Sequence, residues 1–345
     1  MKAVVFYEHG GPEVLRVEDV PRPAVGSDEV LIRVRAVTVN RTLDLDVRQR
    51  GANWPIPFPH ILGPDPAGDV AEVGSAVTGF APGDRVVAIF IRWCGDCEFC
   101  KAGLENACEK QQVTGVHTRG GNAEYASVPA KSLVRIPAGM SYEDAAALMM
   151  VYPTAWHLLV DRGGLRAGET VLVMAAGGAL GIAGTQIAKL HGARVIAAVG
   201  SDWKLERARA NGADEAVNYR SIKLSDEVRR LTGGRGVDIV FENISSPELW
   251  PESVASLATR GRLLTCGSHG GGTVELNIRP FYRKHQSIIS SAAAPKRIVE
   301  RVYELAAEGR LRPVIHTTFP LEQARSAHEL VASREVFGRV VLTVS

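Results

Sequence analysis

The run from Gly168 to Gly200, GETVLVMAAGGALGIAGTQIAKLHGARVIAAVG, constrains the fold more than any other part of the sequence. An unbroken apolar segment, a glycine turn, a longer apolar-faced segment and a second apolar segment follow in order, which is the pattern of strand, turn, helix and parallel strand. Parallel neighbours need a crossover and cover on both faces, so a layered α/β domain is built here. ERARANGADEAVNY, VDIVFENI, GRLLTCGS and HQSIIS continue the pattern to roughly six strands, which predicts a doubly wound sheet.

Within the turn, Ala176, Gly178 and Gly181 keep the G-x-G-x-x-G spacing, with alanine in the first place. Gly178 lets backbone approach a pyrophosphate, Gly181 lets the helix pack close to the strand, and the helix opening at Ala179 and Leu180 supplies partial positive charge. A turn kept tight only for packing is the alternative. The strand before it and the helix after it favour dinucleotide binding. An acidic side chain at the end of the second strand would select NAD by accepting from its ribose hydroxyls. That position is Val199, followed by Gly200 and Ser201, so no carboxylate stands there to repel a 2′-phosphate. Ser201, Lys204 and Tyr219 are placed to meet that phosphate, which predicts NADPH. The competing reading gives Asp202 the acidic role and leaves Lys204 as a solvated helix residue. Asn243 follows a strand whose C-terminal end should face the cofactor, and Gly267 and Ser268 close another beside the nicotinamide ribose. Cys266 reads as a small core residue.

At 345 residues and 46% apolar the chain is too long for one ordinary core and predicts two domains. Forty basic against 38 acidic side chains leave a net charge of +2. The pI near 8.3 comes without a basic stripe, so neither nucleic acid nor an anionic membrane is an expected partner. The N-terminus has no signal-like apolar segment and no window of about 18 apolar residues lacks charges, so the expected location is cytoplasmic. From residue 1 to about 90, short β-branched runs between Pro, Gly and Asp turns read as a barrel-like β module. After Pro295 an amphipathic helix, a second helix and a terminal strand are expected to rejoin that module.

Cys94, Cys97, Cys100 and Cys108 stand at x2, x2 and x7 spacing. Four close thiols in a reducing compartment read as a tetrahedral Zn²⁺ site, and an all-thiolate shell leaves no open position for a substrate. Such zinc is structural.

These cysteines, ILGPDPAGDVAEVG followed by FAPGDRVV, the glycine turn and GGNAEYASVPA together resemble the medium-chain dehydrogenase/reductase superfamily, specifically its zinc-binding alcohol dehydrogenases and NADPH:quinone oxidoreductases. The resemblance implies a GroES-like β-barrel catalytic domain at 1–151 with a zinc lobe at 92–110, a Rossmann domain at 152–290, and a C-terminal return at 291–345. It places the active site in the cleft between them, and implies a homodimer or homotetramer formed through the strand near Gln286–Ser290.

The departures are as informative. Where zinc-dependent members hold a catalytic ion, this sequence has Asn40, Pro64 and Met150. A neutral amide, a proline and a thioether do not rebuild a His/Cys ligand set, so catalytic zinc is expected to be absent. Asp65, Asp44 and His60 show no ligand spacing, and Asp44 reads as a solvated or turn carboxylate. Without a Lewis acid, reduction of an already electrophilic acceptor, a quinone or an α,β-unsaturated carbonyl, is easier than alcohol oxidation. By resemblance the candidate groups are Asn40, Tyr152 and Thr154, the last at a position that touches the nicotinamide. Asn40 can instead stabilise a turn and Tyr152 can be a packing aromatic. Phe337-Gly338-Arg339 resembles a segment near the cofactor, although a lone arginine is more often at the surface. The rival readings are an alcohol or aldehyde dehydrogenase with non-standard zinc ligands and a non-catalytic NADPH-binding sensor.

Overall fold

The run EVLIRVRAVT becomes strand β1 (Glu29–Thr38) of the computed structural model, which describes residues 1–345 apart from the Asn53 side chain. Its β-branched side chains are almost all buried, and it pairs antiparallel with β2 (Ala67–Val73) and with β4 (Tyr125–Pro129). Strand β3 (Arg85–Ala88) joins β2 to β5 (Leu133–Arg135). Val30, Ile32, Val70, Val86, Val128 and Leu133 pack as one apolar cluster inside this sheet.

Six parallel strands follow: β6 (Thr170–Val173), β7 (Arg194–Val199), β8 (Glu215–Asn218), β9 (Val237–Glu242), β10 (Leu257–Thr265) and β11 (Ser287–Ser290). They lie in the order β8-β7-β6-β9-β10-β11, the 3-2-1-4-5-6 order of a dinucleotide-binding sheet. Helix α1 (Ala179–Leu190) crosses from β6 to β7, and α2 (Leu205–Ala210) from β7 to β8. Leu172, Ile196, Val240 and Leu263 are fully buried in this sheet, each removing about 2 kcal/mol worth of apolar surface from water. The last strand, β11, has one unpaired edge, and Ile288 on it is exposed.

The chain then returns through α3 (Lys296–Ala307), β12 (Ile315–Pro320), α4 (Ala324–Ser333) and β13 (Arg339–Thr343). Strand β13 pairs antiparallel with β1, and Tyr303 on α3 donates its hydroxyl to Ala145 O at 2.5 Å. Strand β12, parallel to β13, lacks a sequence signal because IHTTFP is half-exposed and ends in proline. Two units result, Met1–Met150 with Ala294–Ser345, and Val151–Ala293. The divisions thus lie at 150/151 and 293/294, whereas the sequence predicted 151/152 and 290/291. No helix among the described residues is long and apolar enough to cross a membrane.

Candidate functional site

Parallel strands present all their carboxyl ends on one edge, and the chain leaves β6 there through Met174–Gly178 before α1 begins. Gly178 caps α1 with extended backbone and no side-chain hydrogen bond, and no acidic residue stands in the first turn. The first N–H groups of α1 are therefore left to an outside acceptor, and their partial charge suits an anion. A Cβ on Gly181 would lie 2.4 Å from Ala175 O and 2.7 Å from Ala176 Cα, so only glycine lets the helix sit this close to the turn. Ala176 is buried and donates its N–H to Ala198 O on β7 at 2.9 Å.

At the end of β7, Val199 is paired with Asn218 on β8, and no carboxylate occupies that position. A Cβ on Gly200 would come within 2.6 Å of the Tyr219 hydroxyl, so Tyr219 rests directly on the backbone before Ser201. Ser201 leads into the short turn Asp202–Lys204. The Asp202 carboxylate accepts from Asn218 Nδ2 at 2.7 Å, which ties it to the end of β8. Trp203 is 39% exposed, with Lys204 Nζ and Arg207 Cζ each 4.9 Å from its ring centroid. Ser201 and Tyr219 thus lie at the end of β7, and Lys204 stands in the turn that follows.

Asn243 is buried and donates through Nδ2 to Met174 O at 2.8 Å, joining the ends of β9 and β6. A Cβ on Gly267 would meet Asn243 O at 2.7 Å, so the turn after β10 lies against the turn after β9, with Ser268 exposed beyond it. Glu242, absent from the sequence expectations, is fully buried here. Burial pushes its carboxyl up, while N–H donation from Ile244 and Ser245 pulls it back. Ser245 donates its hydroxyl to Gly267 O at 2.6 Å and so fastens the two turns. Tyr152, almost wholly buried, and Thr154 lie on the helix Val151–Trp156, which packs against α1.

In the first unit the sulfurs of Cys94, Cys97, Cys100 and Cys108 all lie within 4.8 Å of one another. Cys94 Sγ is 3.8 Å from that of Cys100 and 3.5 Å from that of Cys108. A tetrahedral zinc with Zn–S bonds of about 2.3 Å needs sulfurs about 3.8 Å apart, so the set fits the ion. Backbone N–H groups of Cys97 and Cys94 point at Cys94 Sγ and Cys108 Sγ, each at 3.4 Å, support suited to thiolates.

Asn40 lies two residues past β1, at the N-cap position of the π-helical turn Arg41–Asp46. It is 4% exposed. Its Nδ2 donates to Thr38 Oγ1 at 3.1 Å and its Oδ1 accepts from Arg339 Nη1 at 2.8 Å. Arg339 also donates to Asp65 Oδ2 at 3.1 Å and to Thr38 Oγ1, while Asp65 Oδ1 accepts from Thr38 N at 2.9 Å. Burial pushes the Asp65 carboxyl up and the Arg339 charge opposes that rise. Two sequence expectations need correction. Asp44 is no solvated carboxylate: it is fully buried, accepts from Asn40 N at 2.7 Å and Gly63 N at 3.0 Å, and burial raises its carboxyl to about 7. Arg339 is no surface residue, because Asp65 draws it inside. Met150 packs against the cluster that holds Leu43 and Leu62.

Residues 26–138 match the alcohol dehydrogenase GroES-like domain, and residues 179–308 match the zinc-binding dehydrogenase domain. The acryloyl-coenzyme A reductase of Metallosphaera sedula is 34% identical, the match covering 99% of this chain and 100% of that protein. The quinone oxidoreductase of Homo sapiens is 30% identical, covering 99% of this chain and 97% of its own length. A crystal structure of an NAD-dependent alcohol dehydrogenase superposes with a TM-score of 0.94 at 43% identity, over 100% of both chains. With a GroES-like unit, a Rossmann sheet and a four-cysteine cluster in one chain, this protein belongs to the medium-chain dehydrogenase/reductase superfamily of oxidoreductases.

Proposed function

We propose that this chain is an NADPH-dependent oxidoreductase that delivers hydride to a quinone or an α,β-unsaturated carbonyl without catalytic zinc, and that it carries one structural zinc. The observation that carries the reading is the side-chain set at 40, 64 and 150. An amide, a proline and a thioether stand where zinc-dependent members carry their ligands. The carboxylates nearby are already committed, Asp65 to Arg339 and Thr38, and Asp44 to two backbone N–H groups. The relatives named acryloyl-coenzyme A reductase and quinone oxidoreductase bear names that specify electron-poor acceptors, and they favour the same class here.

When bound, the dinucleotide supplies the hydride. The chain's own residues do the rest. The α1 N-terminus with Ala176, Gly178, Ala179, Leu180 and Gly181 receives the pyrophosphate; Asn243, Gly267 and Ser268 line the nicotinamide side; Ser201, Lys204 and Tyr219 take the adenosine 2′-phosphate. Thr154 orients the nicotinamide, and Asn40 and Tyr152 are the proposed polar contacts to the acceptor, whose conjugated oxygen takes up the negative charge. Cys94, Cys97, Cys100 and Cys108 hold the zinc that orders their own lobe. We assign a homodimer paired along the open edge of β11, with a small-molecule substrate.

The experiment is an NADPH-oxidation screen against quinones, enals, enoyl thioesters, aldehydes and alcohols, with zinc measured on the same sample. Turnover of conjugated acceptors with about one zinc per chain is expected. Two zincs per chain with alcohol turnover would establish the zinc-dependent reading instead, which the solved structures named alcohol dehydrogenase favour.

A further inference from the structure

We infer that Glu242 is a positioning residue for hydride transfer: through Ser245 its buried carboxyl locks the turns after β9 and β10 into one wall that fixes the nicotinamide, without acting on the adenosine end of the cofactor. This rests on the reading above that Asn243, Gly267 and Ser268 line the nicotinamide side, and it deepens that reading by naming the group that holds them.

Glu242 is the last residue of β9 and pairs in register with Thr265 at the end of β10. It is fully buried, and among the described residues no lysine, arginine or histidine acts on its carboxyl. A buried carboxyl without a cation must be held by hydrogen bonds, and here they all come from the turn that follows. Oε1 accepts from Ile244 N and Ser245 N, each at 3.1 Å, and Oε2 accepts from Ser245 N at 2.9 Å. Ser245 has φ +53°, a left-handed backbone that a side chain disfavours and that persists only where its surroundings impose it. In that conformation its Oγ is 2.6 Å from Gly267 O and 3.1 Å from Glu242 Oε2, so one hydroxyl links the carboxyl to the turn after β10.

The residues locked in this way are those proposed to meet the nicotinamide. Asn243 lies between Glu242 and Ser245, and its Nδ2 donates to Met174 O at 2.8 Å, which ties the turn to the end of β6. Gly267 is packed against Asn243 O, and Gly270 N donates to Ile244 O at 2.6 Å. The ends of β6, β9 and β10 are thus closed around a single buried acid. Gly200, Ser201 and Tyr219 stand at the end of β7, which lies on the opposite side of β6 from β9, outside this network. A misplacement of about 1 Å between reacting groups can cost about a hundredfold in rate, so loosening this wall acts on hydride transfer more than on affinity.

The test compares wild type with Glu242→Met, Glu242→Gln and Ser245→Gly. Calorimetry gives the affinities for NADPH, NADH, 2′,5′-ADP and 5′-AMP, turnover is measured at saturating cofactor with the best acceptor of the screen, and thermal melts identify the folded variants. Glu242→Met removes every hydrogen bond of the carboxyl. Ser245→Gly removes only the hydroxyl and adopts a positive φ freely, so it decides the matter even where Glu242→Met does not fold. Both are expected to lower kcat at least about tenfold and to weaken the preferred dinucleotide about threefold or more, with 2′,5′-ADP and 5′-AMP held within about twofold. Glu242→Gln keeps an oxygen for the N–H groups and a polar end at Ser245 Oγ, and is expected to stay within about threefold of wild type in every reading. Equal weakening of the dinucleotides and the adenosine probes, or an unchanged kcat in Ser245→Gly, overturns the inference and leaves the proposed function standing. Glu242→Gln as impaired as Glu242→Met overturns it too, because the carboxyl would then act by its charge and not by its bonds. A wild type that oxidises neither NADPH nor NADH with any acceptor removes the proposed function itself, and the inference with it, before any variant is made.

Discussion

The guanidinium of Arg339 lies 3.1 Å from the Asp65 carboxylate, with both side chains buried although they are 274 positions apart in the chain. The pair joins the last strand to the loop after β1, and Asn40 is held by the same guanidinium at 2.8 Å. Removing one partner strands the other charge in the interior. Arg339→Met is expected to cost about 3–5 kcal/mol in urea unfolding, and the double variant with Asp65→Leu to recover part of that loss. A single variant as stable as wild type would show that the pair contributes nothing.

Asp44 predicts a pH dependence. Its folded carboxyl is raised by burial to about 7 from an ordinary 3.8. Between these values the folded chain binds the proton more tightly than the unfolded chain, so this group's contribution to stability falls as pH rises from about 4 to about 7. The slope is at most about 1.4 kcal/mol per pH unit. Denaturation midpoints at pH 5, 6 and 7 should fall less steeply in Asp44→Asn, although that variant is less stable throughout because its amide turns a donor toward Asn40 N or Gly63 N. Identical slopes would exclude Asp44 as the titrating group.

The four-cysteine lobe predicts a local effect of metal loss. Cys108→Ser, or prolonged chelation, is expected to release about one zinc per chain and to open residues 94–108 to proteolysis, since the proposed metal would tie the four cysteine-bearing turns together. X-ray absorption should show four sulfur neighbours at about 2.3 Å. Full zinc retention in the variant would mean that the metal sits elsewhere.

Gly181 predicts a steric effect on the cofactor. An added methyl would lie 2.4 Å from Ala175 O, which the backbone relieves only by moving α1 away from β6. Gly181→Ala is expected to cost about 1–3 kcal/mol of stability and more than about tenfold in dinucleotide affinity. Unchanged affinity would place the pyrophosphate away from this turn.

Local residues by themselves determined the parallel sheet and its glycine turn, because strand and helix periods are written in consecutive positions. They likewise determined the four-cysteine cluster, because four cysteines within one short segment converge whatever the rest of the chain does. The end of β7 at Val199 was legible for the same reason, being countable from Gly181. Only the folded chain decided that Asp44 is buried, that Arg339 reaches Asp65, that Glu242 fastens two turns through Ser245, and that Trp203 gathers two cations. Burial and long-range pairing depend on which segments the fold brings together, and no local pattern marks an arginine whose partner lies 274 residues away. The half-exposed strand β12 escaped for a related reason: it is held by pairing with β13, not by a core-facing pattern of its own.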